Sequence, residues 1–156
     1  MPSLAGPAFP DDDGSVDPAV SEALRSYDND GDVRPVLAAL VKNRVLVPVV
    51  ALLAGERAPD GADKQADMAA VLTTGRDGRT ALLAFTGLET LQQWDADARP
   101  VPVPFGQAAQ AAVAEGAAAV VLDIAGPTQA VVTGADLTRI AEGRVLERTD
   151  QGYAWV

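Results

Sequence analysis

The sequence predicts an α+β fold, a single small domain with a mixed β-sheet and helices packed mainly on one face. Three features lead to this prediction. The segment RVLVPVVALLA, residues 44–54, is apolar and β-branched, as in a strand covered on both faces. The segments 66–74 and 79–86 flank GRDG, the signature of two strands joined by an Asp-Gly turn. Helical segments separate the remaining strands.

The first three strands form the predicted three-strand antiparallel meander. A later hairpin is predicted from AAVVLDI at 118–124 and TQAVVTG at 128–134. The segment RPVPVP at 99–104 is extended but makes a poor central strand, because proline donates no hydrogen bond. For the same reason Pro48 is expected at a bulge or on an unpaired side of its strand. The C-terminal segment RVLERTDQGYAWV is expected to add a strand.

Five segments carry helix signals. DPAVSEALRSY has Asp17 as N-cap and Pro18 at the first helical position, and DNDGD is expected to end this helix. Asp32 caps the next helix, DVRPVLAALVKN. In GLETLQQWDAD the residues expected to face inward are Leu88, Leu91 and Trp94. In GQAAQAAVAEG the residues expected to lie on the sheet are Ala108, Ala111, Ala112 and Glu115. ADLTRIAEG is the last predicted helix.

The N-terminal end differs from the rest of the chain in charge. Residues 1–32 carry eight acids and one base, which accounts for most of the net charge of −10. Residues 1–16 mix Pro, Gly and Asp and are predicted to be an acidic disordered tail that is dispensable for folding, followed by one domain over 17–156. The tail is interpreted as a solvated segment that aids solubility; the alternative is an acidic docking arm.

The residue inventory argues against an enzyme. The chain contains no histidine and no cysteine, so triads and zinc sites built on those residues cannot form. All serines lie in the tail and the first helix, and both lysines lie at predicted element ends. We therefore expect no catalytic residue and no enzymatic activity.

No cofactor or metal site is expected either. The glycine before the helix at 106–116 stands alone, whereas a dinucleotide fingerprint needs G-x-G-x-x-G directly after a strand. SYDNDGD imitates a calcium loop through Ser26, Asp28 and Asp30, but its twelfth position is a leucine instead of a glutamate. A second acidic group is interpreted as a solvated loop: Asp60, Asp63 and Asp67.

Charge and hydropathy limit the classes of partner. The chain after residue 32 is close to neutral, so non-specific nucleic-acid binding, which needs clustered cations, is not expected. The GRDG turn joins two strands and not the two helices of a KH-type RNA loop. No apolar segment of about 18 residues exists, so no membrane span is expected. The absence of cysteine and of a signal-peptide pattern predicts a cytoplasmic location.

The segments VLVPVVALL, DMAAVLTTGRDGRTALLAFTGLETLQQW and ARPVPVPFGQAAQAAVAEGAAAVVLDIAGP together resemble the N-terminal domain of SseB-family (enhanced serine sensitivity) proteins. The likeness covers residues 33–143 and is greatest to short, actinobacterial-type members without the family's second domain. The family's strand-ending FTS falls at residues 85–87 and its NPG-like turn at 123–127, with the serine and the Asn-Pro replaced. The resemblance implies a small α/β domain of unsettled biochemical role, with no cofactor and no established active site.

Two strand ends define the candidate binding edge. If strands 79–85 and 119–124 are parallel, their carboxyl ends meet at one edge, where α/β units place binding sites. The candidate residues are Phe85, Thr86, Asp123, Gly126 and Pro127. In the purely structural alternative, the first is a core residue, the second caps the following helix and the third bonds turn amides.

The expected function is that of a non-catalytic, cytoplasmic protein-binding or regulatory module whose partner is another protein. The alternative is a sensor or binder of a small polar metabolite such as an amino acid.

Overall fold

A computed structural model describes residues 12–51 and 68–156 of the chain. The helices are α1 (Pro18–Asp30), α2 (Arg34–Leu40), α3 (Leu88–Trp94), α4 (Phe105–Ala114) and α5 (Gly134–Ala141). The strands are β1 (Arg44–Ala51), β2 (Met68–Ala70), β3 (Leu72–Thr74), β4 (Thr80–Ala84), β5 (Arg99–Pro104), β6 (Ala119–Leu122), β7 (Ala130–Thr133), β8 (Leu146–Thr149) and β9 (Gly152–Trp155). These elements form one small α+β domain, as the sequence predicts.

The described strands form two sheets, β2-β1-β5 and β3-β4-β6-β7, and a hairpin of β8 and β9. Within residues 12–51 and 68–156, one isolated bridge joins the two sheets, since Leu46 and Phe85 exchange backbone hydrogen bonds of 2.7 and 2.8 Å. The predicted meander is present in divided form. Its middle strand is interrupted at Val71, so β2 pairs with β1 and β3 pairs with β4. The later hairpin is β6 with β7.

The prolines of the first sheet lie where no ladder hydrogen bond is required. Leu46 directs its backbone N–H and C=O at Phe85, so the even-numbered residues of β1 point these groups away from β5. Pro48 lies opposite Pro100 in that register. All three prolines of β5 lie opposite even-numbered residues of β1, so their backbone nitrogens also point away from the β1-β5 pair. On that side β5 is the edge strand of its sheet. The expectation of an extended segment unsuited to a central position is confirmed.

Alternate strand residues face two apolar clusters on opposite sides of the sheets. The larger cluster contains Leu82 and Val120 and packs against α1, α2, α4 and α5. The smaller contains Leu83, Phe85 and the inward side of α3, with Leu91 fully buried. Four of the five described helices therefore lie on one face, which agrees with the predicted layering.

The first helix extends further than the sequence predicts. Asp17 caps α1 by accepting hydrogen bonds from two backbone amides, as expected. The helix ends within DNDGD, as expected, but it continues to Asp30 and has Gly31 as its C-cap. With φ at 73°, Gly31 adopts the left-handed conformation and donates its N–H to the carbonyl of Tyr27.

The buried face of α4 also differs from the prediction. Its buried residues are Phe105, Ala108, Ala109 and Ala112, whereas Ala111 and Glu115 are exposed. Phe105 is fully buried and fixes the rotation of the helix from its first turn. The α-helical repeat of 3.6 residues then selects the other buried positions.

The C-terminal segment forms both strands of the β8-β9 hairpin, where one strand was expected. Tyr153 and Trp155 pack against the larger cluster. The guanidinium groups of Arg34 and Arg139 lie 5.4 and 5.6 Å from the centres of these two rings. No described helix is both long and apolar enough to cross a lipid bilayer.

Candidate functional site

The candidate edge lies at the carboxyl ends of β4 and β6. These strands are parallel neighbours, with Ala84 opposite Leu122. Thr86 lies two residues after the end of β4 and Asp123 directly after β6, so they meet although they are 37 positions apart in the chain. The parallel arrangement expected from the sequence is confirmed; binding at this edge stays a prediction.

The Asp123 carboxylate connects three elements at this edge. Its residue is only 2% exposed. Thr86 donates its backbone N–H to Oδ1 at 2.8 Å and its hydroxyl to Oδ2 at 2.6 Å. The hydroxyl of Thr90, on α3, lies 2.8 Å from Oδ1 and 3.1 Å from the carbonyl of Gly87. With one proton to donate, it bonds the carboxylate at the shorter distance. Asp123 thus holds the end of β4 and the first turn of α3 to the end of β6.

The structural alternative assigned different partners to these side chains, and both assignments are wrong. Thr86 does not cap α3, because the N-cap is Gly87 and no side chain bonds the helix amides there. The parallel register brings Asp123 to the hydroxyl of Thr86 instead. Asp123 adopts φ 55°, a left-handed conformation that aspartate tolerates better than most residues, and its carboxylate turns toward β4 instead of toward its own turn.

The remaining candidate residues have separate environments. Phe85 lies in the core, as the structural alternative expected. It is fully buried, with its ring 5.6 Å from that of Trp94, so it does not line the candidate edge. Gly126 allows the turn to approach α3, because a Cβ there would lie 3.1 Å from Cγ2 of Thr90. Pro127 is exposed and lines a cleft.

Residues 12–16, which we call the N-terminal strap, cross the same edge. Arg44, the first residue of β1, bonds Asp12 through two nitrogens, at 2.6 and 3.0 Å. It also donates to the carbonyls of Thr86 and Ser15, each at 2.7 Å. The hydrogen bonds that Arg44 donates to Asp12 hold the pKa of the Asp12 carboxyl below its ordinary value. The guanidinium thereby joins the strap to the end of β4.

The strap corrects the N-terminal boundary expected from the sequence. Residues 12–16 were assigned to a disordered tail, yet they make specific contacts with the domain. The carbonyl of Gly14 accepts a 2.6 Å hydrogen bond from the N–H of Leu88, and so satisfies an amide in the first turn of α3. Residues 1–11 lie outside the described part of the chain.

Open clefts follow the strap along the edge. A cleft of about 250 Å³ lies between α1 and α3, with Asp123 at its base and Pro127 on its rim. A second, of about 350 Å³, lies beside the strap and the start of α3. A third, of about 200 Å³, lies between the strap and the prolines of β5. Each is lined by at least one strap residue.

The acidic groups considered for metals are placed separately. Asp28 and Asp30 are exposed residues of α1, and Asp30 accepts a hydrogen bond from the backbone N–H of Asp32. The other three candidates, at 60, 63 and 67, lie outside the described residues. Within residues 12–51 and 68–156, no three His, Cys, Asp or Glu residues are grouped to hold a metal ion.

Three participants were missed by sequence reasoning: Arg44, Thr90 and the strap. Arg44 had a usable signal, since it is the one charged residue of an otherwise apolar strand. Thr90 had none, because a threonine in the first turn of a short helix is ordinary. Asp12 is one of three consecutive aspartates, and nothing local distinguishes it from its neighbours.

Comparison with known families identifies the family of this domain. Residues 20–139 match the family model described as SseB protein N-terminal domain. The chain belongs to the SseB family. The match confirms the resemblance drawn from the sequence. The SseB match contains β1–β7, including Arg44, Thr86 and Asp123, and leaves the strap and the β8-β9 hairpin outside it. No curated protein and no solved structure matches the chain.

Proposed function

We propose that this SseB domain is a non-catalytic module that binds another protein through the edge formed by the strap, α1, α3 and the turn after β6. The observation that carries the proposal is the row of adjoining open clefts along this edge. Enclosed pockets suit small ligands, whereas a row of open clefts suits side chains of a protein surface. We place this activity in the cytoplasm, on the cysteine-free composition.

The buried and the exposed residues of the edge have different roles. Thr86 and Asp123 are buried and bond each other, so they fix the shape of the edge. Polar side chains of different kinds line the cleft between α1 and α3 and are available to a partner: Ser21, Arg25, Glu89, Gln93 and Thr128. A mixed polar rim around a small apolar area is typical of transient protein interfaces.

The Thr86 and Asp123 pair superficially resembles a nucleophile beside a base, since the hydroxyl and carboxylate oxygens are 2.6 Å apart. Thr86 is 4% exposed, however, and Asp123 also accepts bonds from a backbone amide and from Thr90. A nucleophile needs an open approach for its substrate. This burial supports a structural role for the pair and a non-catalytic function for the domain.

A second candidate function is favoured by one pair of charges. Arg25 on α1 and Glu89 on α3 both line the cleft of about 250 Å³. A guanidinium recognises a carboxylate and a carboxylate recognises an ammonium group, so the two could bind an amino acid. In that case the domain is a sensor of a small polar metabolite.

The experiment for the first proposal compares two matched variants of the full chain. Gln93→Arg places a bulky charge on the cleft rim, and Gln107→Arg makes the same change at an exposed position of α4 outside the clefts. A partner captured from native lysate is identified by mass spectrometry, purified and titrated against both. We expect Gln93→Arg to weaken binding at least about tenfold, a loss of 1.4 kcal/mol, and Gln107→Arg to leave it unchanged. Equal affinities for both variants contradict the proposal.

Thermal shift separates the second candidate from the first. A ligand at 100 times its Kd stabilises the folded state by about 2.7 kcal/mol. An amino acid that produces this stabilisation with the wild type and not with Arg25→Gln favours the sensor function. If none of the amino acids produces this stabilisation, the sensor function is contradicted.

A further inference from the structure

We propose that the groove beneath the N-terminal strap is a docking site for an extended acidic peptide, and that the strap occupies this site until a partner displaces it. The inference rests on the proposed function, because it assumes that a partner uses this edge. It adds the chemistry of the partner segment and a means of regulation, since the chain carries its own competitor.

Arg44 supplies the recognition of an acidic residue. Its guanidinium bonds both oxygens of Asp12, and the two side chains are only 11% and 14% exposed. A planar guanidinium that bonds a carboxylate through two nitrogens selects it by geometry as well as by charge. The carbonyl of Thr86 holds a third nitrogen at 2.7 Å, so the guanidinium is oriented by the domain itself.

The other contacts are hydrogen bonds to the backbone of the strap and do not involve its side chains. The N–H of Leu88 bonds the carbonyl of Gly14, and Arg44 bonds the carbonyl of Ser15. An extended segment from another protein can offer the same carbonyls. The groove therefore needs a carboxylate at one position and accessible backbone at the two or three that follow.

The position two residues after the carboxylate needs glycine. Gly14 has φ 87°, and a Cβ there would lie 2.9 Å from Cβ of Leu88. The facing residue is also glycine: a Cβ on Gly87 would lie 3.1 Å from the carbonyl oxygen of Gly14. The strap and the segment before α3 approach closely because neither has a side chain here. The preferred peptide is thus an acidic residue, any residue, then glycine.

Space and charge favour a longer segment than the strap. Clefts of about 350 and 200 Å³ flank the strap and stay open beside it. Most of the negative charge lies in residues 1–32, and the chain beyond them is near neutral. When the strap leaves, its own aspartates leave with it, and Arg44 faces an acidic newcomer with less repulsion.

The strap competes as part of the same molecule. A tethered segment has an effective concentration of the order of millimolar. A free peptide of the same sequence should therefore bind the wild type weakly and bind more tightly when the strap is weakened. This difference makes the proposal measurable without knowing the natural partner.

The test titrates the acetylated and amidated peptide DDGSVD, residues 12–17, into the ¹⁵N-labelled full chain. The reporters are the amide signals of Gly14 and Ser15 in the strap, which change when the strap leaves the groove. Asp12→Asn in the protein removes the charge that binds Arg44 at constant size. Asp13→Asn is the matched control, because Asp13 bonds only its own turn through Ser15. We expect Asp12→Asn to lower the peptide Kd about two- to fivefold, the scale of the ion pair that it removes, and Asp13→Asn to leave it unchanged.

Peptide variants complete the test and do not depend on the stability of a protein variant. With the wild-type chain at millimolar peptide, the parent peptide should shift the Gly14 and Ser15 signals of the strap, while peptides carrying Asp12→Asn or Gly14→Ala should not. Equal Kd values for the two protein variants, or equal shifts by the three peptides, overturn the groove proposal. If the peptide binds as expected but Gln93→Arg leaves partner affinity intact, the proposed function fails and the groove proposal stands.

Discussion

Asp12 and Asp123 lie at the same edge of the molecule and are held in opposite ways. Asp123 is 2% exposed and accepts hydrogen bonds from uncharged groups within the domain. Asp12 is closer to solvent and pairs with the guanidinium of Arg44. A buried carboxylate without a cation must keep its hydrogen bonds, because breaking them leaves desolvated polar groups. An ion pair near the surface can exchange its bonds for water at small cost. The first carboxylate therefore maintains the fold, and the second suits a contact that opens.

The largest effect is expected for Asp123→Ala. This change leaves the N–H and hydroxyl of Thr86 buried without a partner, and it places alanine at φ 55°. We expect a loss of about 3 kcal/mol of unfolding free energy, which urea denaturation at pH 7 measures. Asp123→Asn keeps the shape and one acceptor oxygen and should lose about half as much. A loss below about 1 kcal/mol for the alanine variant would show that Asp123 does not maintain this edge.

A smaller and graded effect is expected for the two threonines. Thr86→Val removes a buried hydroxyl at constant size and should lose about 1–2 kcal/mol, whereas Thr90→Val, at a half-buried position, should lose about 0.5–1 kcal/mol. Both hydroxyls bond the same carboxylate, so the double variant should depart from the sum of the single losses. Additive losses, measured by the same denaturation, would mean that Asp123 does not couple the two residues.

The position of the buried Asp123 beside Thr86 could largely be predicted from the sequence. Two apolar strands end in a polar residue, and the helices between them leave room for a parallel crossover, so Thr86 and Asp123 could be placed together. Their mutual hydrogen bonds could not be predicted, because a strand-ending threonine before a helix is equally consistent with a cap. The rotation of α4 failed for a similar reason. Tertiary burial of Phe105 decided it, and the periodicity of the alanines alone did not.

The contacts of Asp12 at the surface could not be predicted from the sequence. Residues 11–13 are three identical aspartates, and only tertiary structure selects Asp12 for Arg44, 32 residues away. That selection depends on Gly14 fitting against Leu88, a contact with no periodic signal. Composition correctly described an acidic segment with little apolar content, but such a segment can still be held by one arginine and a few backbone hydrogen bonds. The boundary at residue 16 was misplaced for this reason.

The smallest effect, and the most diagnostic, is expected for Asp12→Asn. At pH 7 the change should lose about 0.5–1 kcal/mol of unfolding free energy, since the ion pair lies near the surface. Hydrogen bonds from Arg44 lower the pKa of Asp12 in the folded state. A carboxyl with a lowered folded pKa stabilises the protein above its unfolded pKa of about 3.9, and this contribution is lost as the pH falls through the folded value.

The difference in unfolding free energy between wild type and Asp12→Asn should therefore be constant from about pH 7 to pH 5. It should decrease toward zero below about pH 4. Urea midpoints at matched ionic strength give the measurement, with Glu22→Gln, at an exposed position of α1, as the control for loss of one negative charge. A difference that persists unchanged to pH 3 would show that the strap is held by its backbone bonds and not by the Asp12 charge. The acidic residue would then be a poor criterion for the partner peptide, and glycine at the position of Gly14 would be the stronger one.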